Sequence, residues 1–389
     1  MKKRDQTNIK TVFININKKQ KQRKNMKITK IAIAVIASFA VSVISFAGEL
    51  SVTGTAKATY SIQGSESTTA VNGAGKGIGI ANEFSLNASG ETDQGIAWVY
   101  AQDIDGATVQ DDAKLTLTMP TYGTFGIFVS EGGLSSKYKW DVSAYAPGTD
   151  FGLTGNSAAS HSAGALVAGY TNGEDIGGYN NFQYHTPAGL LPNDVSIKVA
   201  YAPNTNTSAN ASSNAGSSGN NAGMGTSALQ YQVSATPVEG ASLSASYFTK
   251  EGAPTNYRND YEAFGASGKY AVGPVSLGVG RFHVQPSTAK GTANHTNYYD
   301  NLMLGVSFAV NDALSLSFTE ETSEANKITT IEDGTGKTKT QVETKITAVQ
   351  AAYTMGGMTL SLSQKDLENM DYTAAVDAKE TVVAIVMAF

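Results

Sequence analysis

The chain has 389 residues, no cysteine, 40 glycines and 18 tyrosines. The lack of cysteine excludes a disulfide framework and a thiolate metal site, and the many small and polar residues favour short strands with polar turns over helices. Residues 1–47 hold eleven of the 28 basic residues and one acid, which leaves 17 basic and 32 acidic residues, a net charge of −15, in the remainder. Such an acidic protein argues against a nucleic-acid partner, because phosphates require a basic surface.

The N-terminal region has the pattern of an export signal. Lys27 and Lys30 precede an apolar run, 31–46, which ends in Ser-Phe-Ala at 45–47. A basic start, an apolar centre and small residues at the −3 and −1 positions predict a secretory signal peptide that is cleaved before Gly48. The alternative is a membrane anchor, but sixteen apolar residues are short for a transmembrane helix, which needs about 20.

The domain boundaries follow from this signal. Residues 1–25 are polar and basic, and Met26 is followed directly by the basic start of the signal. We therefore expect an N-terminal extension and secretory signal over 1–47, with the signal proper at 26–47. An unusually long basic region before the apolar run is the alternative for 1–25. The remainder, 48–389, is expected to form one β-domain.

From residue 49 onward the dominant hydrophobic period is two, which is typical of strands with one apolar and one polar face. In the first strand, for example, Leu50, Val52 and Tyr60 alternate with Ser51, Thr53 and Thr59. The pattern predicts about sixteen strands, at 50–62, 78–89, 95–103, 112–119, 123–130, 179–186, 194–202, 227–236, 241–250, 260–271, 274–284, 298–309, 313–320, 343–354, 358–365 and 380–389. Segments of this length suit strands tilted across a membrane.

The connections between these strands alternate in length. Short turns are predicted at 90–94, 120–122, 187–193, 236–240, 271–273, 310–312 and 355–357. Long links are predicted at 63–77, 104–111, 131–178, 203–226, 251–259, 285–297, 321–342 and 366–379. Short turns on one rim and long loops on the other indicate an all-β, transmembrane antiparallel barrel with periplasmic turns and extracellular loops. A soluble β-sandwich would explain single alternating strands but not this regular alternation.

Several stretches resemble the sixteen-stranded general porins of Gram-negative bacteria. The last strand ends in an aromatic residue, Phe389, as does the closing strand that the barrel-assembly machinery recognises in that family. The stretches 82–95, 114–128 and 181–187 resemble the family's second strand and turn, the hairpin before its third loop, and the strand after that loop. The resemblance implies an outer-membrane homotrimer that contacts lipid and lipopolysaccharide, with one pore in each subunit.

In such porins the third loop folds into the barrel and narrows it. The segment 131–178 is the third long link of the predicted barrel and therefore corresponds to this loop. The acids expected at this constriction are Glu131, Asp141, Asp150, Glu174 and Asp175. The family opposes such acids with an arginine cluster, but the chain after residue 47 has only Arg258 and Arg281. The expected wall cations are lysines on the polar strand faces, namely Lys57, Lys114, Lys198 and Lys269. By parity Arg281 faces lipid, unless a bulge intervenes or it lies beyond the membrane rim.

The sequence therefore predicts a water-filled porin for passive diffusion of small hydrophilic solutes and ions, with a weak preference for cations. No catalytic motif, metal-ligand spacing or phosphate-binding loop is evident, so neither an enzyme activity nor a cofactor is expected. Three alternatives remain open at this point: a channel selective for one solute, a non-conducting adhesive or structural barrel, and a secreted soluble β-protein.

Overall fold

The structure is a computed structural model that describes residues 48–65, 75–105, 108–148, 173–205, 227–251, 257, 259–288, 294–330 and 337–389. The predicted extension and signal, 1–47, lie outside the described residues. In the described part, no helix combines the length and the apolar character that a bilayer crossing requires.

Sixteen strands, β1 to β16, form the domain. In chain order they are Glu49–Ser65, Gly75–Glu91, Ala97–Asp105, Thr108–Met119, Gly123–Val129, Asn181–His185, Ser196–Ala202, Ala228–Ala235, Ala241–Lys250, Tyr261–Val272, Val275–Gln285, His295–Ala309, Leu314–Thr330, Lys337–Met355, Met358–Glu368 and Ala378–Ala388. Short 3-10 turns lie at Ile176–Gly178, Pro192–Asp194 and Met370–Tyr372. Each predicted strand overlaps one of these in the same order, so the predicted fold class is confirmed.

Every strand pairs antiparallel with its neighbours in sequence, and β1 pairs with β16 to close the sheet into a barrel. The closing seam runs from Ser65 opposite Ala378 to Thr55 opposite Ala388. One step further, the backbone N–H of Phe389 donates to the Gly54 carbonyl, and the Gly54 N–H donates back, both at 3.0 Å. The C-terminal residue therefore completes the seam.

The two faces of the wall differ as the period of two predicts. Large apolar side chains point outward and are exposed, including Leu50, Val279, Leu304, Phe318 and Val383. Between them, polar side chains point inward and are buried, including Ser61, Gln230, Ser267, Thr319 and Ser363. An apolar outer face with a polar interior is the arrangement required of a barrel that stands in lipid and encloses water.

The long-loop rim differs from the prediction in two places. The link predicted at 104–111 is much shorter, because β3 continues to Asp105 and β4 begins at Thr108. The link predicted at 321–342 is also mostly strand, since β13 and β14 stay in register from Leu314 opposite Tyr353 to Thr330 opposite Lys337. Beyond the membrane both faces of a hairpin meet water, so the hydrophobic alternation fades although backbone pairing continues.

Arg281 faces outward, as its parity predicted. Its strand, β11, keeps a continuous register with both neighbours around this position, so no bulge turns the side chain inward. The guanidinium Nη2 instead lies 2.9 Å from a carboxylate oxygen of Asp300, which also faces outward on β12. Three outward-facing rings lie beside this pair. The centroid of the His283 ring lies 5.2 Å from that of Phe264 and 5.0 Å from that of Tyr298. Such an aromatic row is typical of a membrane interface.

A charge placed on the outer face should destabilise the barrel according to its depth. We expect Leu304→Arg, in the apolar part of β12, to lower the free energy of unfolding from vesicles by about 2–4 kcal/mol. Leu50→Arg is the matched control, because Leu50 lies at the short-turn end of β1, where the cost should be at most about 1 kcal/mol. Guanidinium titration in vesicles measures both, and equal losses would contradict the assigned orientation.

Candidate functional site in the barrel lumen

The described parts of the third loop, 131–148 and 173–178, lie along the inner wall of the barrel. Ser136 shows how the wall holds the loop. Its backbone N–H donates to Ser246 Oγ at 2.9 Å, its hydroxyl lies 2.6 Å from Ser244 Oγ, and its carbonyl accepts from Ser267 Oγ at 2.6 Å. These serines stand on the polar faces of β9 and β10, so the inward-facing residues provide partners for the loop backbone.

Glutamines on β8 make the same kind of contact with both arms of the loop. The carbonyl oxygen of Gln230 accepts from the Ile176 N–H at 2.9 Å, and Gln232 Nε2 donates to the Leu134 carbonyl at 2.8 Å. Ile176 and Gln230 are almost fully buried. Because an unpaired buried amide costs free energy, these pairs determine the path of the loop as well as its stability.

The loop continues around the wall to β13 and β14. The Ala144 N–H donates to Ser317 Oγ at 2.8 Å, and the Tyr145 N–H donates to the side-chain oxygen of Gln350 at 2.8 Å. Gln350 also bonds both backbone groups of Ala146. The described parts of the loop are therefore attached to inward-facing residues of strands from β8 to β14.

Trp140 anchors the outgoing arm of the loop and was not predicted from the sequence. Its side chain is completely buried and packs with Phe282 and Met303. It fits because the wall opposite carries glycines: a Cβ at Gly280 would lie 3.0 Å from the indole, and one at Gly305 would lie 3.1 Å from it. Glycines on the polar face of β11 and β12 were the signal in the sequence that could have indicated a closely packed loop.

Two of the predicted loop acids bond groups that the loop itself supplies. The carboxylate of Asp175 accepts from the N–H groups of Leu134, Ser135 and Gly177 at 2.9 to 3.2 Å, and so joins the outgoing arm of the loop to the returning arm. The carboxylate of Asp141 accepts from the Ser143 N–H at 2.9 Å. Both contacts organise the loop backbone.

Glu174 belongs to a cluster at the base of the loop. Its carboxylate pairs with Lys250 Nζ at 2.5 Å and accepts a hydrogen bond from the Tyr179 hydroxyl. The Lys250 ammonium also lies 5.7 Å from the Tyr179 ring centroid and 5.3 Å from that of Tyr261. Burial, assisted by the bond to Glu174, raises the pKa of Tyr179, so the phenol remains a donor at neutral pH. Lys250 was missed in the sequence, although its parity with Ser244 and Ser246 places it inward.

Of the two remaining predicted acids, Glu131 and Asp150, the structure describes one. Glu131, at the start of the loop, pairs with Lys114 on β4 at 2.5 Å, so the structure brings together a predicted loop acid and a predicted wall lysine. Asp150 lies outside the described residues.

The other three predicted lysines also face the lumen. Lys57 Nζ lies 5.2 Å from the ring centroid of Tyr145 on the loop. Lys269 Nζ lies 3.3 Å from the Asp141 carbonyl oxygen. Lys198 stands on the inward face of β7, opposite His185 of β6. The parity argument therefore placed all four lysines on the inner wall.

A further lysine, Lys137, lies within the loop itself. Its ammonium donates to the Gly173 carbonyl at 2.9 Å. Burial lowers the pKa of Lys137, although the carboxylates of Asp175 and Glu174 act in the opposite direction. In the described part of the chain, no group of three or more His, Cys, Asp or Glu side chains is placed to hold a metal ion.

The fold and this site define a porin-type barrel: sixteen antiparallel strands, apolar outside and polar inside, with the described parts of the third loop on the inner wall. Comparison with solved structures agrees. The chain is similar to OmpT, an outer-membrane protein of Vibrio cholerae, with 11% identity, 90% of this chain and 100% of that chain covered, and a TM-score of 0.59. It is also similar to an anion-selective porin from Comamonas acidovorans, with 13% identity, 88% of this chain and 100% of that chain covered, and a TM-score of 0.57. A third similar structure is OmpF of Salmonella typhi, with 13% identity, 88% of this chain and 98% of that chain covered, and a TM-score of 0.54.

At these identities the likeness concerns the fold. No protein-family model matches the chain, and no curated protein matches it. The porin fold is confirmed, whereas the role of each lumen residue remains a proposal.

The glycines that lie against Trp140 allow a direct test of how the third loop is attached to the inner wall. A Cβ at Gly278 would lie 1.9 Å from the Trp140 carbonyl oxygen, so Gly278→Ala should displace the tryptophan from the wall. In a Trp98→Phe background, which leaves Trp140 as the single fluorophore of its kind, we expect stronger acrylamide quenching. Gly64→Ala is the control, because a Cβ there meets nothing within 4 Å. Unchanged quenching in a folded Gly278→Ala barrel would contradict this packing.

Proposed function

We propose that this protein is an outer-membrane porin through which small hydrophilic solutes and ions diffuse passively. The observation that carries the proposal is that the described parts of the third loop, 131–148 and 173–178, are held along the inner wall of a closed barrel by side chains that point inward from β8 to β14. A polar lumen narrowed by a loop on its wall discriminates solutes by width and charge, without a chemical step. This favours a channel over a purely adhesive barrel, in which the interior needs no fitted loop.

Ion selectivity is expected to be weak and in favour of cations. The chain after residue 47 carries a net charge of −15, which attracts cations toward the channel. At the constriction this excess is offset by lysines, because Glu131 is paired with Lys114 and Glu174 is paired with Lys250. Lys57, Lys198 and Lys269 also face the lumen. Paired charges create a smaller net potential than free ones, so a strong preference is not expected.

The proposed assembly is a homotrimer with one pore in each subunit, embedded among outer-membrane lipid and lipopolysaccharide. One of the similar structures is described as a trimer form, which supports this assembly for the fold. We further propose that the barrel-assembly machinery recognises the last strand, in which Phe389 pairs with Gly54 and presents an exposed aromatic side chain.

Planar-bilayer recording tests the proposed function directly. The purified protein, with residues 48–389 folded as a barrel, should insert and open in steps of three equal conductances. Its reversal potential under a salt gradient should favour cations slightly. A folded and inserted barrel that does not conduct would refute the channel. Saturable block by one class of solute would instead establish a substrate-selective channel.

The role of the wall lysines is tested by reversing one charge. Lys57→Glu places an acid on the lumen wall beside Tyr145, and we expect the ratio of cation to anion permeability to rise roughly twofold. The matched control is Lys76→Glu. Lys76 lies on the neighbouring strand opposite the outward-facing Ile62 and therefore points away from the lumen. Equal shifts in the two variants would show that Lys57 does not act at the pore.

A further inference from the structure

The loop between β15 and β16, residues 369–377, is the eighth long connection of the barrel, and we call it the eighth loop. It folds inward rather than outward. The hydroxyl of Tyr372 lies 2.6 Å from Ser323 Oγ, and its ring lies 5.2 Å from that of Tyr299. Ser323 and Tyr299 stand on the inward faces of β13 and β12, and Tyr372 is only 5% exposed. The eighth loop is therefore packed on the inner wall.

Polar contacts hold the loop on β14 as well. Asn369 Nδ2 donates to the Glu343 carbonyl at 3.0 Å, and the Asn369 carbonyl accepts from Thr344 Oγ1 at 2.8 Å. The same threonine hydroxyl accepts from the Tyr372 N–H at 3.2 Å. From β13, Lys327 Nζ donates to the Tyr372 carbonyl at 3.2 Å. Two strands thus contribute partners to the loop.

A small apolar cluster seals the loop against the wall. Met370 is 4% exposed and is buried with Ile346, Leu367 and Ala378, while Val376 packs against them. Within the loop, the Met370 N–H donates to the Val376 carbonyl at 2.7 Å. The eighth loop consequently has its own core, as expected of a compact, ordered loop.

The backbone of the loop is strained. Asn369, Tyr372 and Ala375 adopt φ values of 53°, 53° and 59°, in the left-handed region that residues with a side chain rarely occupy. For a bulky residue such as Tyr372 this conformation is especially unusual. Such conformations persist only where the surrounding contacts determine them, and they concentrate at functional sites. The left-handed residues and the dense contacts together indicate that the surrounding wall fixes the shape of the eighth loop.

The eighth loop lies nearer the long-loop rim than the part of the third loop around Ala144 and Tyr145. On β13 the third loop contacts Ser317 and the eighth loop contacts Ser323; on β14 the corresponding residues are Gln350 and Thr344. In each strand six residues separate the two contacts, which is about 20 Å along the strand. The eighth loop is the one nearer the long-loop rim.

The third loop approaches the same region at Gly148, where a Cβ would lie 3.0 Å from Ile346 Cγ2, and Ile346 packs with Met370 of the eighth loop. The two loops therefore cover one continuous stretch of the inner wall, which the eighth loop extends toward the rim.

We propose that the eighth loop extends the constriction of the third loop toward the extracellular mouth and that it sets an upper size limit for solutes there. Tyr372 is the positioning residue that locks it to the wall. This inference rests on the proposed channel function. Neutral hydrophilic solutes such as oligosaccharides report this limit, because their passage depends on their size and not on their charge.

The test compares solute size dependence in variants of the full barrel. One variant replaces residues 370–376 by two glycines, and a second is Tyr372→Ala. In liposome swelling, both should raise the rate for a trisaccharide relative to a monosaccharide by roughly twofold or more, with a larger single-channel conductance. Tyr122→Ala is the control, because Tyr122 lies exposed in the short turn at the opposite rim and should change neither quantity.

A further pair of variants separates the effect of the loop's backbone shape from the effect of its side chains. Ala375 is exposed, so Ala375→Gly should retain the wild-type size limit, whereas Ala375→Val places a β-branched residue at positive φ and should relax the limit as the loop replacement does.

Folding of each variant is verified by heat-modifiable gel mobility. An unchanged size limit and conductance in a folded loop-replacement variant would overturn the role of the eighth loop while leaving the channel established. A wild-type barrel that neither conducts nor swells liposomes would overturn the proposed function, and the inference with it.

Discussion

The fold depends on one constraint: a strand in lipid has no water to satisfy its backbone, so every N–H and C=O group must find a partner within the sheet. Closure of β1 against β16 satisfies this requirement, and it extends to the last residue, where Phe389 and Gly54 exchange two hydrogen bonds. With no open edge remaining, the wall is stable without a packed centre, and its interior is available for loops and solutes. The polar inner face follows from the same closure.

That polar inner face serves as a binding surface for the chain's own loops. Inward-facing serines and glutamines, such as Ser246 and Gln350, accept hydrogen bonds from the backbone of the third loop. In the eighth loop, Thr344 accepts from the Tyr372 N–H and Ser323 bonds the Tyr372 hydroxyl. Short side chains hold the loops close to the wall, and the glycines at Gly280 and Gly305 make room for the Trp140 indole. A lumen shaped in this way owes its width to the fit of loops on the wall as much as to the number of strands.

The charged residues of the lumen show why the sequence predicted which way a side chain points better than which partner it contacts. Parity placed Lys57, Lys114, Lys198 and Lys269 inward because a strand's side chains alternate strictly. It could not show that Glu131 would meet Lys114, since their contact depends on the path of the chain where it leaves β5. It likewise missed Lys250, the partner of Glu174, which lies 76 residues away along the chain. Pairing across such separations is a property of the folded barrel.

The sequence by itself determined the fold class, the order of the sixteen strands and the face on which each side chain lies, because these follow from local alternation and turn residues. Tertiary structure decided the rest. The length of β13 and β14 beyond the membrane, the path of the third loop along the wall and the inward folding of the eighth loop depend on contacts between distant segments. A period of two encodes which way a side chain points, but not what it meets there.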